Sequence, residues 1–288
     1  MNSVSDSLAA PASVSDTWRF ARKKIPSRWQ AIWADLKEGV SSSQIWWLLA
    51  WQDIRLRYRR SQLGPFWITF SMAITIFSMG FLYSHLFHMQ LQEYFPLLTA
   101  GMLTWNLIGT LVIDGANTFV EAEGYLKQIK LPYTAFMLRV ICRTFIIFAH
   151  NFVVLVPVIL FFHVKLNWSL LMELPALVIV GITAFGYGLV LATLVARFRD
   201  IAPIVASLMQ VAFFVTPVMW SITTLSPRGQ FIMQFNPFTH FVILLRSPLL
   251  GSMPGLNTLL ITIGIMLLGL LLAFILLLRT RHRIVYWL

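Results

Sequence analysis

The sequence predicts an all-α integral membrane protein, and three of its properties agree on this. Hydrophobic residues make up 58% of the 288 residues, whereas soluble domains reach roughly 45–50% even when glycine is counted as apolar. Charged residues make up only 11%, against about 25% in a soluble chain, which is too few to cover a water-facing surface. Six stretches are also long and apolar enough to cross the hydrocarbon core, which takes about 20 residues of helix.

Six transmembrane helices are predicted in order along the chain. Their approximate bounds are Phe66–Phe87, Phe95–Phe119, Phe136–Phe162, Leu170–Ala196, Ile201–Ile222 and Leu256–Leu278. The first and the last are the clearest. Only Arg197-Phe198-Arg199-Asp200 separates the fourth span from the fifth, which predicts a tight reversal between two antiparallel helices.

The distribution of positive charge predicts that both termini lie in the cytoplasm. The chain carries 22 Lys and Arg against 11 Asp and Glu. With six spans and a cytoplasmic N-terminus, 19 of the 22 cations fall on the inner side, and only Lys165, Arg228 and Arg246 fall outside. Cytoplasmic loops of membrane proteins carry such an excess. We therefore expect a basic rim that contacts membrane lipids. In a soluble protein the same excess of positive charge would suggest nucleic-acid binding, but in this membrane protein no nucleic-acid partner is expected.

The N-terminal region is predicted in two parts before the six-span domain of residues 65–288. Residues 1–40 form a cytoplasmic tail with a weak amphipathic helix, and residues 41–64 form a helix in the membrane interface. In the second part, apolar residues recur at helical spacing, namely Trp47, Trp51, Ile54 and Tyr58. Its C-terminal half is rich in arginine. Indole rings beside guanidinium groups are typical of a helix at the water–lipid boundary.

The sequence contains none of the common catalytic motifs. It has no G-x-x-x-x-G-K-[ST] phosphate-binding loop, no G-x-S-x-G and no H-E-x-x-H. Ionisable residues within the spans are few, namely Asp114, His150 and the two arginines near the start of the third span, Arg139 and Arg143. Asp114 and His150 are too few to form the chain of titratable groups that proton-driven transport needs. The single Cys142 excludes an intrachain disulfide, and no metal site is predicted. The chain is therefore not expected to be an enzyme.

Three stretches carry a family likeness. The run Asp53-Ile54-Arg55-Leu56-Arg57-Tyr58-Arg59-Arg60-Ser61-Gln62-Leu63-Gly64-Pro65-Phe66-Trp67 closely resembles the motif before the first span of type-2 ABC exporter permeases for polysaccharides. The second stretch is Arg197-Phe198-Arg199-Asp200 with the later Gln210 and Phe213-Phe214-Val215-Thr216-Pro217-Val218. The third is Asn236-Pro237-Phe238-Thr239-His240 with Leu245-Arg246-Ser247-Pro248-Leu249-Leu250-Gly251. The matches follow the family's order along almost the whole chain.

This resemblance implies a permease that exports a polysaccharide across the bacterial inner membrane. The polysaccharide would be O-antigen, in which case the protein takes part in lipopolysaccharide biosynthesis, or a capsular or teichoic-acid chain. It also implies a homodimer that pairs with two copies of a separate ABC ATPase subunit. ATP and magnesium would be used by that partner, and this chain would hold no cofactor. A lipid-linked polysaccharide would pass between the two permease copies. Two alternatives stay open: an ABC exporter of a small lipid or drug, and a membrane-embedded glycan-processing enzyme.

The connection between the second and third spans, residues 120–132, predicts a short surface helix that ends before Pro132. In the family that the chain resembles, this position holds the coupling helix that docks into the ATPase. The residues assigned to coupling are Glu121, Gly124, Leu126, Lys127, Lys130 and Pro132. The alternative is an ordinary solvated loop helix.

Two roles are open for the arginine-rich end of the interfacial helix. Its cations can hold the helix against anionic lipid, each contributing about 1 kcal/mol. Guanidinium groups can also bind bidentately to the phosphate of a lipid-linked substrate. The residues assigned to headgroup recognition are Arg55, Arg57, Tyr58, Arg59 and Arg60.

Aromatic residues of the first and fifth spans are the candidates for lining a glycan conduit. They are Phe66, Phe70, Phe77, Phe81, Phe213, Phe214 and Trp220. For any single phenylalanine the alternative is contact with lipid or with a neighbouring helix.

The external segment 223–254 is too apolar for a solvated loop. It is predicted as two short re-entrant helices before the last span, which form a gate on the outer side. Irregular backbone at membrane depth has to be buried in protein or line a cavity. The gate candidates are Asn236, Pro237, His240 and Arg246. The alternative is structural packing at a dimer interface.

Overall fold

The computed structural model describes residues 27–57, 59, 64, 66–86, 88, 90–164 and 167–288. Within these residues the chain forms helices and no strands. In chain order they are α1 (Arg28–Ser41), α2 (Ser43–Arg57), α3 (Phe66–Leu86), α4 (Leu91–Glu121), α5 (Glu123–Gln128), α6 (Tyr133–Asn151), α7 (Leu155–Phe162), α8 (Glu173–Arg197), α9 (Ile201–Val215), α10 (Pro227–Met233), α11 (Pro237–Leu249), α12 (Leu256–Thr280) and α13 (Ile284–Trp287). The all-α prediction is confirmed.

Five helical stretches of the described chain are long and apolar enough to cross a membrane. They are Phe66–Leu86, Leu91–Gln128, Tyr133–Phe162, Trp168–Arg197 and Leu256–Trp287. They correspond to the first four predicted spans and to the sixth.

The fifth predicted span differs from the expectation. α9 has 15 residues, or about 22 Å of helix, whereas the hydrocarbon core is about 30 Å thick. The helix ends at Val215 because Pro217 disfavours the helical conformation of the residue before it. Accordingly, Thr216 is extended, with φ −91° and ψ 141°. The predicted end at Ile222 was therefore wrong.

The third span is continuous but locally tightened. It runs as α6, a 3₁₀ turn at Phe152–Val154 and α7. Pro157 lacks the N–H that would bond to the carbonyl of Val153, and its ring crowds that carbonyl. Short 3₁₀ pieces commonly absorb this kind of disturbance.

The centre of the bundle is built from close helix pairs. α4 packs along α8, and α8 packs along α12. A Cβ built on Gly186 of α8 would lie 2.7 Å from the backbone carbonyl carbon of Gly269 on α12. Small residues at such crossings allow backbones to approach closely, and van der Waals packing then holds the helices together in lipid.

We expect Gly186→Val to destabilise the bundle, because the new side chain would have to separate α8 from α12. Overpacking of this kind typically costs about 1–3 kcal/mol. Gly264→Val on α12 is the matched control, since a Cβ at Gly264 meets nothing within 4 Å. Thermal unfolding of the detergent-purified protein should show a lower midpoint for Gly186→Val alone. Equal midpoints for the two variants would contradict the close packing.

α2 turns a different face inward from the one that its tryptophan spacing predicts. Ala50 and Ile54 are buried, whereas Trp47 and Trp51 are exposed. The predicted stripe is therefore split: Ile54 packs against the protein, and the two indole rings face outward. Exposed indoles suit a helix that lies against the lipid boundary.

Candidate functional site

The connection between α4 and α6 contains a helix that is shorter than the predicted one. α5 covers Glu123–Gln128, and the chain is extended at Ile129. Leu126 is only 8% exposed and packs into the core, so it attaches α5 to the bundle. The outward residues, which we call the α5 face, are Gly124, Tyr125, Lys127, Gln128, Ile129 and Lys130. Among the predicted coupling residues, Gly124, Lys127 and Lys130 are on this face, and Leu126 and Pro132 are buried.

Side chains from distant parts of the sequence hold α5 in place. Glu123 accepts a hydrogen bond from Lys127 Nζ at 2.7 Å, and Arg199 Nη2, in the turn between α8 and α9, lies 3.1 Å from Glu123 Oε2. Arg199 also donates to the carbonyl oxygen of Leu288 at 3.3 Å. The guanidinium of Arg197 lies over the ring of Trp287, 5.4 Å from its centroid. The α8–α9 turn and the α13 segment therefore brace the rear of α5.

A cluster of charged side chains lies behind α5, between α2, α4 and α6. Arg139 forms a two-pronged contact with Asp53, with Nε 2.7 Å from Oδ2 and Nη2 2.5 Å from Oδ1. Arg143 lies 3.1 Å from Asp53, 2.9 Å from Asp114 and 3.6 Å from Glu121. We call these five residues the charge network. Arg143 is only 5% exposed, so this guanidinium is nearly removed from solvent.

The charge network connects the two segments that the sequence singled out. Asp53 belongs to α2, and Glu121 is the last residue of α4, directly before α5. Arg139 also lies over the ring of Tyr125 on the α5 face, 5.7 Å from the centroid. Glu121, predicted as a coupling residue, is thus one of the carboxylates that surround Arg143. A buried charge is tolerated only when it is paired, so these contacts fix α2, α4 and α6 relative to one another.

A second buried carboxylate organises the start of α6. Asp35 of α1 is 5% exposed and accepts hydrogen bonds from the backbone N–H groups of Tyr133 and Thr134 at 3.2 and 3.1 Å. Pro132 precedes α6 and has no side chain that could cap it, so Asp35 supplies the cap from another helix. Arg281 Nη2 lies 3.0 Å from the same carboxylate. The sequence reasoning did not find this junction.

The arginines at the end of α2 are available for a ligand. Arg55, Arg57 and Arg59 are exposed, and none forms an ion pair with another described residue. Tyr58 and Arg60, which were predicted with them, lie outside the described residues.

Five of the seven predicted conduit residues are exposed on the surface of the single chain. Phe66, Phe70, Phe77 and Phe81 of α3 are all exposed. On α9, Phe214 is exposed, and the ring of Phe213 packs against Trp105 of α4 at 5.8 Å between centroids. Trp220, beyond the end of α9, is half-buried. This surface therefore faces lipid or another protein.

The predicted gate residues form a connected cluster. Asn236 separates α10 from α11: its side-chain oxygen accepts from Phe238 N at 3.0 Å, and its Nδ2 donates to Thr216 Oγ1 at 3.0 Å. Pro237 is the first residue of α11. Arg246 is buried and donates to the carbonyl oxygen of Pro217 at 2.7 Å. These contacts tie α11 to the extended segment that follows α9.

The imidazole of His240 closes the same cluster. Its Nε2 lies 2.8 Å from the carbonyl oxygen of Gln234, so His240 links the start of α11 to the end of α10. At the other end of α11, Ser169 Oγ, just before α8, donates to the carbonyl oxygen of Pro248 at 3.4 Å, so the C-terminal end of α11 lies beside the start of α8.

The comparisons with known proteins cover most of this architecture. Residues 44–250 match the family model described as ABC-2 type transporter. Among similar proteins is an O-antigen export system permease protein RfbA from Klebsiella pneumoniae, 20% identical over 194 residues, which cover 67% of this chain and 74% of the relative. Another O-antigen export system permease protein RfbA, from Myxococcus xanthus, is 22% identical over 201 residues, which cover 67% and 75%. The family match includes α5, the charge network, α10 and α11.

Proposed function

Since the chain belongs to the ABC-2 type transporter family and is the membrane subunit of a transporter rather than an enzyme, we propose that it exports a lipid-linked, O-antigen-like polysaccharide. The similarity to O-antigen export permeases over 67% of the chain is the observation that carries this proposal. The family and the five apolar helices make it a multi-pass protein of the inner membrane. In the proposed assembly, two copies of the chain pair with two copies of an ABC ATPase, which binds ATP and magnesium.

The α5 face is the proposed docking site for the ATPase. Tyr125 and Ile129 are 40% and 52% exposed, and the cations Lys127 and Lys130 lie beside them. An apolar centre with a charged rim is the usual composition of a protein–protein interface. This assignment places α5 and both chain termini in the cytoplasm, and it places α10 and α11 at the outer side as a gate.

The charge network is proposed to couple this docking site to the substrate side. When α5 moves, Glu121 moves with it, because Glu121 is next to α5 in the chain. Arg143 forms ion pairs with both Glu121 and Asp53 of α2. α2 would then move with α5, because separating Asp53 from two arginines would leave buried charges unpaired. Nucleotide binding to the ATPase thereby repositions the arginines at the end of α2.

The exposed arginines at the end of α2 and directly after it are proposed to bind the phosphate of the lipid-linked substrate. Arg55, Arg57 and Arg59 have no ion pair with other described residues, so their donors are free for an anion. The exposed Trp47 and Trp51 on the same helix suit the lipid boundary, where the substrate's own headgroup lies. Guanidinium groups match phosphate bidentately, whereas lysine acts as a point charge.

Exchanging these arginines for lysine is expected to separate recognition from anchoring. For the triple variant Arg55→Lys, Arg57→Lys, Arg59→Lys we expect the apparent KM for the lipid-linked substrate to rise about tenfold, which corresponds to roughly 1.4 kcal/mol. Membrane anchoring should be unaffected, because the charge is unchanged. Initial export rates measured against substrate concentration provide the test, with the exposed Arg28→Lys and Arg283→Lys as a control. An unchanged KM would show that these arginines hold the helix at the membrane and do not recognise the substrate phosphate.

The proposed export reaction can be tested in proteoliposomes that contain the purified permease and its ATPase. A lipid-linked glycan is presented on the ATPase side, and its appearance in the lumen is measured with a lectin or a glycosidase. We expect glycan transfer with ATP and none with a non-hydrolysable analogue. Transfer of a small fluorescent lipid, without any transfer of the glycan, would refute the proposed substrate class.

A further inference from the structure

A groove of about 420 Å³ opens between α3, α4 and α6. Its lining includes Trp67, Ser71 and Thr75 of α3, Trp105 and Asn106 of α4, and Asn151 at the end of α6. We call it the amide groove. It lies near the middle of α4 and so, in the proposed orientation, near the middle of the membrane.

The two asparagines leave hydrogen-bonding capacity unused. Asn151 is 2% exposed and donates through Nδ2 to Asn106 Oδ1 at 3.4 Å, while its own Oδ1 is buried without a hydrogen-bond partner among the described residues. Asn106 is exposed, and its Nδ2 donates to no described residue. In contrast, Ser71 and Thr75 donate to carbonyls of their own helix at 2.8 and 2.9 Å. The amide pair therefore still has donors and acceptors without partners among the described residues.

Free amides at this depth require a polar neighbour. Polar groups that meet lipid without a hydrogen-bond partner are energetically unfavourable, and polar residues inside membranes usually face a cavity, a pathway or another protein. Among the described residues that line the groove, none is charged. The groove offers amide donors and acceptors, which suit hydroxyl groups.

Apolar side chains form the rest of the lining, and two of them are indole rings. Trp67 and Trp105 both border the groove. The ring of Trp105 is held in place by Phe213 of α9 at 5.8 Å and by Phe238 of α11 at 5.7 Å between centroids. Aromatic faces pack against the C–H faces of sugar rings, and amides bind their hydroxyls. Together they match a neutral, polyhydroxylated ring.

We propose that the amide groove is a subsite that binds one sugar unit of the polysaccharide during its passage. The inference rests on the proposed function, and it adds a location that the phenylalanine pattern of α3 does not include. The groove is connected to α11, the proposed outer gate, only through Trp105, whose ring borders the groove and contacts Phe238.

The test compares Asn106→Leu with Asn117→Leu in the proteoliposome assay described above. Leucine keeps the volume of the side chain and removes the amide. Asn117 lies on the same helix but outside the groove lining, and its Nδ2 is already bonded to the carbonyl of Ile113 at 2.9 Å. For Asn106→Leu we expect an approximately tenfold lower initial rate of glycan export at subsaturating substrate, and for Asn117→Leu a rate within about twofold of wild type. A free neutral oligosaccharide of the same glycan should inhibit wild type more than Asn106→Leu.

Three outcomes decide between this proposal and its competitors. A wild-type export rate in Asn106→Leu overturns the subsite and leaves the proposed function intact. A lower rate accompanied by a changed oligomeric state in size-exclusion chromatography also overturns it, because the groove would then be a contact between copies of the chain. If wild type transfers no glycan with ATP, the proposed function itself fails.

Discussion

Replacing Arg143 with methionine is expected to abolish export and to destabilise the permease by about 3–5 kcal/mol. The guanidinium is shared by three carboxylates, those of Asp53, Asp114 and Glu121. Methionine fills a similar volume but leaves these acids without their common counter-charge. Arg139 can still pair with Asp53, but Asp114 has no other ion pair within the described chain. Removing one partner of a buried pair is costly because the remaining charge stays buried.

The measurement is the thermal midpoint and the yield of folded protein in detergent. Arg279→Met is the matched control, since Arg279 is exposed and has no ion pair with a described residue. We also expect Asp114→Asn to recover part of the stability lost in Arg143→Met, because the double variant buries one charge fewer. A midpoint for Arg143→Met that equals that of the control would show that the network does not hold the helices together.

The second large effect is expected at the α5 face. In the double variant Tyr125→Ala, Ile129→Asp, we expect the affinity for the ATPase to fall at least 30-fold, which corresponds to about 2 kcal/mol. Ile129 is exposed, and Tyr125 is partly exposed with its ring beside Arg139, so the replacement should lower the stability of the permease itself only by the loss of that one contact, about 0.5–1 kcal/mol. ATP hydrolysis by the complex and glycan export should both be lost at concentrations that saturate wild type.

Two comparison variants make the docking result specific. Leu126→Ala should destabilise the permease itself, by about 2–5 kcal/mol, because Leu126 is buried in the core. Phe231→Ala with Phe235→Ala removes two exposed apolar side chains from the α10 region at the other end of the bundle. Unaltered ATPase binding by the α5 variant, or loss of binding in the α10 variant, would place the docking site elsewhere.

Most of the membrane architecture follows from the sequence because the bilayer imposes it. Spanning segments have to be apolar and helical, so hydropathy alone locates the four long spans before α9 and the final span. The Asn236-Pro237 break between α10 and α11 also follows from local chemistry, since proline favours the first position of a helix and asparagine the position before it.

The parts that could not be predicted depend on packing between distant residues. Asp53 and Arg139 lie 86 positions apart, and Asp35 and Arg281 lie 246 apart. From the sequence alone, each of these charged residues could form an ion pair with any of several residues of opposite charge. Only the arrangement of the helices determines which pair forms. The inward direction of Leu126 likewise depends on how α5 docks, since both Leu126 and Ile129 are apolar. The cap of α6 comes from Asp35 on another helix, so the residues around the start of α6 contain no sequence pattern that would indicate it.

The central claim, that an ATPase docks on α5, can be tested most directly by cysteine cross-linking in the assembled complex. Cys142 is the only cysteine and is buried, so a new surface cysteine can be labelled selectively. A short thiol-directed photo-cross-linker is placed at Ile129→Cys and, for comparison, at Phe235→Cys. The account predicts a cross-link from position 129 to the ATPase and none from position 235. A cross-link to the ATPase from position 235, with none from position 129, would contradict it.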